Sequence, residues 1–259
     1  MKLLAMIFVI VLIMAFTTVA VQAFPVFSSV ADADTWNRAN FPNNNWGAPN
    51  VITNGAAGTN LIFFNSFIFW DLPDEVIGEE ILSATLAVPL RNVPTGAAND
   101  YALQAYDQSW VEGTGIGSES GDGVTFSTYD GTNLWPGSST AGGFNDRVDD
   151  GEGANRNFDV QHISEATYGD ENTAVGTVVF DATDMVQFWS DGNLNAGLSI
   201  QVVGSLTGSS GSFSFWGREK ELTHPGLAPV LEVTYVPEPA SLAMIAVGAA
   251  VLARRRRRV

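Results

Sequence analysis

The sequence predicts an all-β protein, a sandwich or a barrel of short antiparallel strands with one short helix. Three observations predict it. Apolar residues alternate with polar ones through many segments of five to ten residues. Gly, Asn and Pro clusters separate those segments. Only one stretch, near residue 185, has helical spacing with a residue able to start it. Many short strands between turns of this chemistry belong to two packed sheets or to one sheet closed on itself.

Phe24 to Val30 reads as a lead-in, and Ala31 to Arg38 alternates with period two and reads as the first strand. Phe41 to Gly47 (FPNNNWG) is turn chemistry, because Pro fixes φ and Asn and Gly tolerate left-handed backbone. Val51-Ile52-Thr53 is a short strand ending at Asn54-Gly55, a hairpin-type turn. Leu61 to Leu72 is a dense apolar and aromatic run without helical spacing, read as a strand buried on both faces at the centre of the core. From Ile81 to Leu90, Leu82, Ala84, Leu86 and Val88 share one face and Ser83, Thr85 and Ala87 the other. Tyr101 to Tyr106 alternates again, with Trp110 just beyond.

Glu112 to Asn157 differs in composition. It holds 11 of the chain's 26 glycines and many carboxylates, with Val124-Thr125-Phe126 as a short strand inside it. The rest reads as a long mobile excursion, of a length that is usually functional or disordered. Strand character resumes at Thr177 to Phe180. Asp181 or Thr183 can cap a helix through Trp189, with Met185 and Trp189 facing the core at i, i+4 and Asp191-Gly192 ending it. Leu198, Ile200 and Val202, then Phe213 and Phe215, then Leu231, Val233 and Tyr235 mark three further strands, with a polar turn over Gly204 to Gly211.

The two ends read as addresses rather than as parts of the fold. Lys2, the apolar run Leu3 to Ala20 and the small-x-small pattern Val21-Gln22-Ala23 form a secretory signal peptide over 1–23, with cleavage expected after Ala23. At the other end, Pro237-Glu238-Pro239 precedes the apolar run Ala240 to Ala253 and five arginines, Arg254 to Arg258. A 14-residue apolar run is shorter than the roughly 20 residues a spanning helix needs. The arginines hold its end on the cytoplasmic side. The 237–259 segment is therefore a marginal transmembrane-like helix. Its three parts, in this order, resemble the PEP-CTERM sorting signal of bacteria. That resemblance implies an exosortase-type processing enzyme as partner, transient inner-membrane anchoring, and a setting of exopolysaccharide or biofilm.

Removing these ends changes the charge. Lys2 and the five tail arginines are six of the 12 basic residues, and Glu238 is one of the 28 acids. The 24–236 body keeps 6 bases against 27 acids, a net of −21. Nucleic acid and anionic membrane surfaces need positive patches and are disfavoured. Acidic polysaccharides are disfavoured too, unless divalent cations bridge the two. The absence of cysteine excludes a disulfide framework and cysteine-ligated metals, so stability must come from a core.

The body is similar to the DNRLRE family of exported β-sandwich modules. The resemblance is carried by Ala33-Asp34-Thr35-Trp36-Asn37-Arg38 and Asn45-Trp46-Gly47, by Phe69 to Pro73 with Ile81 to Leu86, and by Trp110-Val111-Glu112. It continues through Phe180 to Trp189 with Asn195 to Leu198, Phe215-Trp216-Gly217-Arg218-Glu219, and Ala228 to Tyr235. It implies a jelly-roll-like sandwich that serves as an accessory or surface module, in some members a carbohydrate-binding one. Asn65-Ser66 stands where the family often has a basic residue, and Phe126 replaces a second tryptophan.

Sugar-binding proteins stack apolar sugar faces on exposed aromatics. The candidates on loops or strand edges are Trp36, Trp46, Tyr129, Trp135 and Trp216, with Tyr129 and Trp135 expected to be the more exposed because they lie in the polar excursion. Arg38, Arg218 and Glu219 are the charged candidates, and in so acidic a body Arg218 is expected to pair with a carboxylate such as Asp34. Calcium is the candidate ion, with Asp146, Asp149, Asp150 and Glu152 as its candidate ligands beside backbone carbonyls. Their spacing does not match an EF-hand, and the competing reading is a solvated acidic loop. Only His162 and His224 are available for histidine chemistry, and nothing marks two carboxylates as a glycosidase pair, so no enzyme is expected. The expected function is a non-catalytic surface or matrix protein contacting extracellular polysaccharide. The alternative is a structural or adhesive surface protein without a sugar site, stabilised by calcium.

Overall fold

The computed structural model describes residues 24–47, 51–57, 62–93, 99–119, 122–136, 148, 150–151, 155–163, 167–168, 173–203 and 212–237. The signal peptide, the tail beyond Pro237, the polar turn over Gly204 to Gly211 and most of the acidic run near residue 146 lie outside them. Among the described residues, no helix is long and apolar enough to cross a membrane.

Fourteen strands are described: β1 (Val26–Val30), β2 (Ala33–Arg38), β3 (Asn44–Asn45), β4 (Val51–Ala57), β5 (Ile62–Phe69), β6 (Glu80–Val93), β7 (Asn99–Ala105), β8 (Ser118–Glu119), β9 (Asp159–Ile163), β10 (Thr167–Tyr168), β11 (Gly176–Asp181), β12 (Leu198–Val203), β13 (Ser212–Trp216) and β14 (Val230–Val236). Their pairings are antiparallel, in the order β1-β14-β6-β13-β4-β5-β12-β7-β9. On β6, β14 takes one edge from Glu80 to Ala87, and β13 continues that edge at Leu90 and Asn92. β11 lines the opposite edge. β5 carries β2 along one edge, from Ala33↔Phe69 to Arg38↔Phe64, with β4 and β12 on the other. The β4–β13 pairing joins the two halves. Leu86, Val88, Leu231 and Val233 from one half share one buried cluster with Phe64, Ile68, Leu103 and Ile200 from the other. The sheet thus folds over itself as the expected all-β, antiparallel sandwich.

Several local expectations change. The presumed lead-in is β1, paired with β14 from Val26↔Thr234 to Val30↔Val230. A bulge opposite Thr234 and Tyr235 inserts an extra residue into β6. It turns Leu82 out to solvent and puts Ile81 inward, then restores Ala84, Leu86 and Val88 to the core, so Leu82 does not share their face. Val124-Thr125-Phe126 is not a strand; the Thr125 hydroxyl accepts the Ser127 and Thr128 N–H groups and closes a turn.

β5 is buried on both faces as its composition predicts. Phe64 and Ile68 enter the main core, whereas Phe67 points the other way into a second cluster with Tyr106, Val124, Trp135 and Ala196. Phe67 stacks on Tyr106 with ring centroids 4.7 Å apart and on Trp135 at 5.8 Å. Val124 and Trp135 therefore anchor part of the excursion over the outer side of β5, and β8, earlier in it, pairs with β3.

The short helix α1 (Thr183–Ser190) begins where expected. The Asp181 carboxylate accepts the Thr183 N–H at 3.0 Å, while the Thr183 hydroxyl accepts the Ala84 N–H at 2.9 Å and ties the helix to β6. Met185 and Trp189 are buried.

Candidate functional site

Three segments far apart in the chain converge on one charged cluster. β2 brings Asp34, the start of the excursion brings Glu112, and a single 3-10 turn over Arg218–Lys220, directly after β13, brings Arg218 and Glu219. Asp34 falls on a strand that alternates poorly in burial, so its carboxylate is carried inside at 0% exposure. The Arg218 N–H donates to Asp34 Oδ2 at 2.6 Å, and the Asp34 N–H donates to Glu112 Oε1 at 2.8 Å. The Arg218 guanidinium forks onto Glu112, from Nε to Oε1 at 3.1 Å and from Nη2 to Oε2 at 2.6 Å. Its Nε also reaches Glu219 Oε1 at 3.0 Å, and Nη1 donates to the Asp32 carbonyl. The expected Arg218–Asp34 contact thus exists, but through the backbone N–H; the side-chain charge pairs with Glu112 and Glu219.

One carboxylate oxygen from each of Asp34, Glu112 and Glu219 lies within 4.8 Å of the other two. Burial first, and then the neighbouring Glu219 carboxylate, push the Asp34 carboxyl well above its ordinary range, against the opposing pull of the Arg218 N–H bond. Burial also raises Glu112, opposed by its bonds from the Asp34 N–H and Arg218. Burial acts to lower Arg218, but Glu112, Glu219 and Asp34 together outweigh it and hold the guanidinium above its usual value.

Beside this cluster stands a second polar knot. Asn45 is fully buried. Its amide nitrogen donates to the Glu112 and Val124 carbonyls at 2.7 and 2.9 Å, and its oxygen accepts the Gly47 and Gly115 N–H groups at 3.0 and 2.7 Å. Gly113 adopts φ +75°, and a Cβ there would lie 2.7 Å from Asn45 Oδ1, so this position needs glycine on both counts. Asn45 thus fixes where the excursion starts and, with it, Glu112.

The predicted aromatics are mostly turned inward. Trp36 is 8% exposed and stacks on the half-buried Trp46, with centroids 4.4 Å apart. Trp135, expected at the surface, is 1% exposed; its indole N–H donates to the Thr125 carbonyl at 3.2 Å, and the apolar partners Phe67 and Tyr106 outweigh the polar sequence around it. Trp216 is 3% exposed beneath Arg91 and Lys220, both over its ring. Tyr129 is half-buried against Trp135. Arg38 lies over Phe41 and Phe64, at 5.0 and 5.4 Å from their ring centroids, and stands apart from the Arg218 cluster. Asp146, Asp149 and Glu152 lie outside the described residues, as do Glu238 and Pro239; Asp150 is exposed and Pro237 half-buried.

Sequence reasoning named Asp34 as a partner for Arg218 but did not single out Glu112 or Asn45, although each stands in a segment that carries the DNRLRE resemblance. It also missed a pocket of about 170 Å³ lined by Ala33, Phe69, Ser109, Trp110, Asn195 and Ala196. Trp110 forms part of that wall, its indole N–H held by the Ala196 carbonyl at 2.8 Å. Asn195 is held by the Trp70 carbonyl at 2.8 Å.

No curated protein matches the chain. Residues 236–258 match the PEP-CTERM protein-sorting motif. That match covers the Pro-Glu-Pro, the apolar run and the arginines, and leaves the sandwich outside it. The chain therefore carries a PEP-CTERM protein-sorting motif, the kind of signal exosortase recognises, and is an exported, cell-envelope-associated protein.

Proposed function

We propose that the chain is a non-catalytic structural module of the cell envelope, built to persist outside the cell rather than to process a substrate. The observation that carries this reading is the inward placement of the residues a sugar platform would use. Trp36, Trp135 and Trp216 are spent on packing, and Arg218 is spent on Glu112 and Glu219. The clustered carboxylates do not make a glycosidase pair. Asp34 is fully buried, and both Glu112 oxygens are engaged by Arg218, so neither stands free in a cleft to meet a glycosidic bond. His162 is exposed and pairs with Asp100 at 2.7 Å, away from the carboxylate cluster. The DNRLRE-type resemblance of the body fits the same accessory role. The sorting tail would be removed during export, after a transient stay in the inner membrane.

A second reading is favoured by the pocket beside Trp110. A half-buried indole next to Ser109 and Asn195 supplies an apolar face and polar rim groups, the combination that holds a single sugar unit. A glycan array on the purified full chain, with Trp110→Ala alongside, separates the two. The structural reading expects no retained glycan. A glycan bound by the wild type and lost in Trp110→Ala overturns it and assigns polysaccharide contact to the pocket.

A further inference from the structure

The geometry points to a divalent-cation site of calcium's size between Asp34, Glu112 and Glu219. It goes beyond the surface reading and does not rest on it. Three carboxylates meet around one guanidinium, so the cluster is short of positive charge when all three are ionised. Arg218 already places its Nε on Glu112 and Glu219, Nη2 on Glu112 and Nη1 on the Asp32 carbonyl, and none of these bonds reaches Asp34 Oδ1 or Glu219 Oε2. Two oxygens are left over. Asp34 Oδ1 and Glu219 Oε2 are both buried and accept no hydrogen bond, and Asp34 as a whole has no exposed surface. A buried carboxylate oxygen without a donor is costly, and costlier beside another anion.

A cation removes the deficit at both oxygens. Calcium takes oxygen ligands at about 2.3–2.6 Å, so two ligands on opposite sides of one ion stand roughly 5 Å apart. One oxygen from each of the three carboxylates falls within 4.8 Å of one from each of the others, a span one calcium ion can bridge, and turning Asp34 and Glu219 about their terminal bonds brings their donor-free oxygens to the ion. Magnesium, with ligands at about 2.1 Å and a stricter octahedron, needs a tighter set. The donors are all hard oxygens, and the chain has no cysteine to favour a softer metal. Water completes the shell on the side where Glu112 and Glu219 are partly exposed. So placed, the ion ties β2, the start of the excursion and the turn after β13 into one clasp. It uses no residue of the acidic run containing Asp149 and Asp150.

Calorimetric titration of calcium chloride into the chelator-treated full-length chain in mild detergent tests this. Wild type is expected to show one tight site per chain and a higher melting temperature with calcium than with magnesium. Asp34→Asn and Glu219→Gln should each weaken the tight site at least about tenfold. The double substitution Asp149→Asn with Asp150→Asn should leave it unchanged. Absence of a tight site in the wild type, or tight binding undiminished in both carboxylate variants, overturns the proposal. If the variants fail to fold, a terbium-soaked wild-type crystal decides. An anomalous peak between the three carboxylates supports the site, and a peak elsewhere or none overturns it.

Discussion

Asn45 holds the neighbourhood of the site together without carrying charge. Its single amide satisfies two carbonyls and two N–H groups that lie in irregular segments outside the strands. Each buried polar group left unsatisfied costs about 1–3 kcal/mol. Asn45→Ala orphans four, and losing about 3 kcal/mol or more is the expected outcome, read as a lower urea midpoint. A change within about 0.5 kcal/mol would show that water takes over the amide's role. In the sequence Asn45 is one of three consecutive asparagines, all consistent with a turn. Nothing in that run says which side chain enters the interior. The choice depends on Glu112 and Val124, 67 and 79 residues away. Asp34 was legible as a partner for Arg218, but not its complete burial, which follows from a turn that arrives after residue 216.

At the scale of elements, local chemistry decided α1 and tertiary contact decided the excursion. The helix start was legible because its signal is local: Asp181 accepts the N–H two residues on. The Thr183 hydroxyl first, and then its N–H, hold the Asp181 carboxyl below its ordinary range. The folded chain thus binds that proton less readily than the unfolded one, and the stabilisation is present above the unfolded pKa and lost as pH falls through the folded one. Asp181→Ala should therefore cost about 1 kcal/mol near neutral pH. The gap should close at strongly acid pH. Thermal melts of both proteins across pH 2–7 check this; a gap that persists at the acid end would mean the loss is packing, not charge. The excursion is the opposite case. Glycine and carboxylate composition reads as mobile chain, yet Trp135 and Val124 are enough to pin it to Phe67 and Tyr106. β6 shows the same limit on a smaller scale: Ile81 and Leu82 are adjacent apolar residues, and only the bulge against β14 settles that Ile81 faces inward.

For the whole molecule, charge and address go together. The tail's arginines mask the acidity of the body, and their removal would leave a chain at −21. Replacing Pro237, Glu238 and Pro239 with alanine is expected to block processing, seen in a pulse-chase as a membrane-bound precursor of unchanged size; normal maturation would separate the motif from the cleavage step. Destination and fold class were determined by the sequence itself. A sorting motif is read as linear sequence, and period-two alternation states strand character residue by residue. The tertiary structure decided which aromatics face inward and which carboxylates meet. Burial depends on what lies across the sheet, and Asp34, Glu112 and Glu219 become neighbours only when β2, the excursion and the turn after β13 are brought together by the folded sheet.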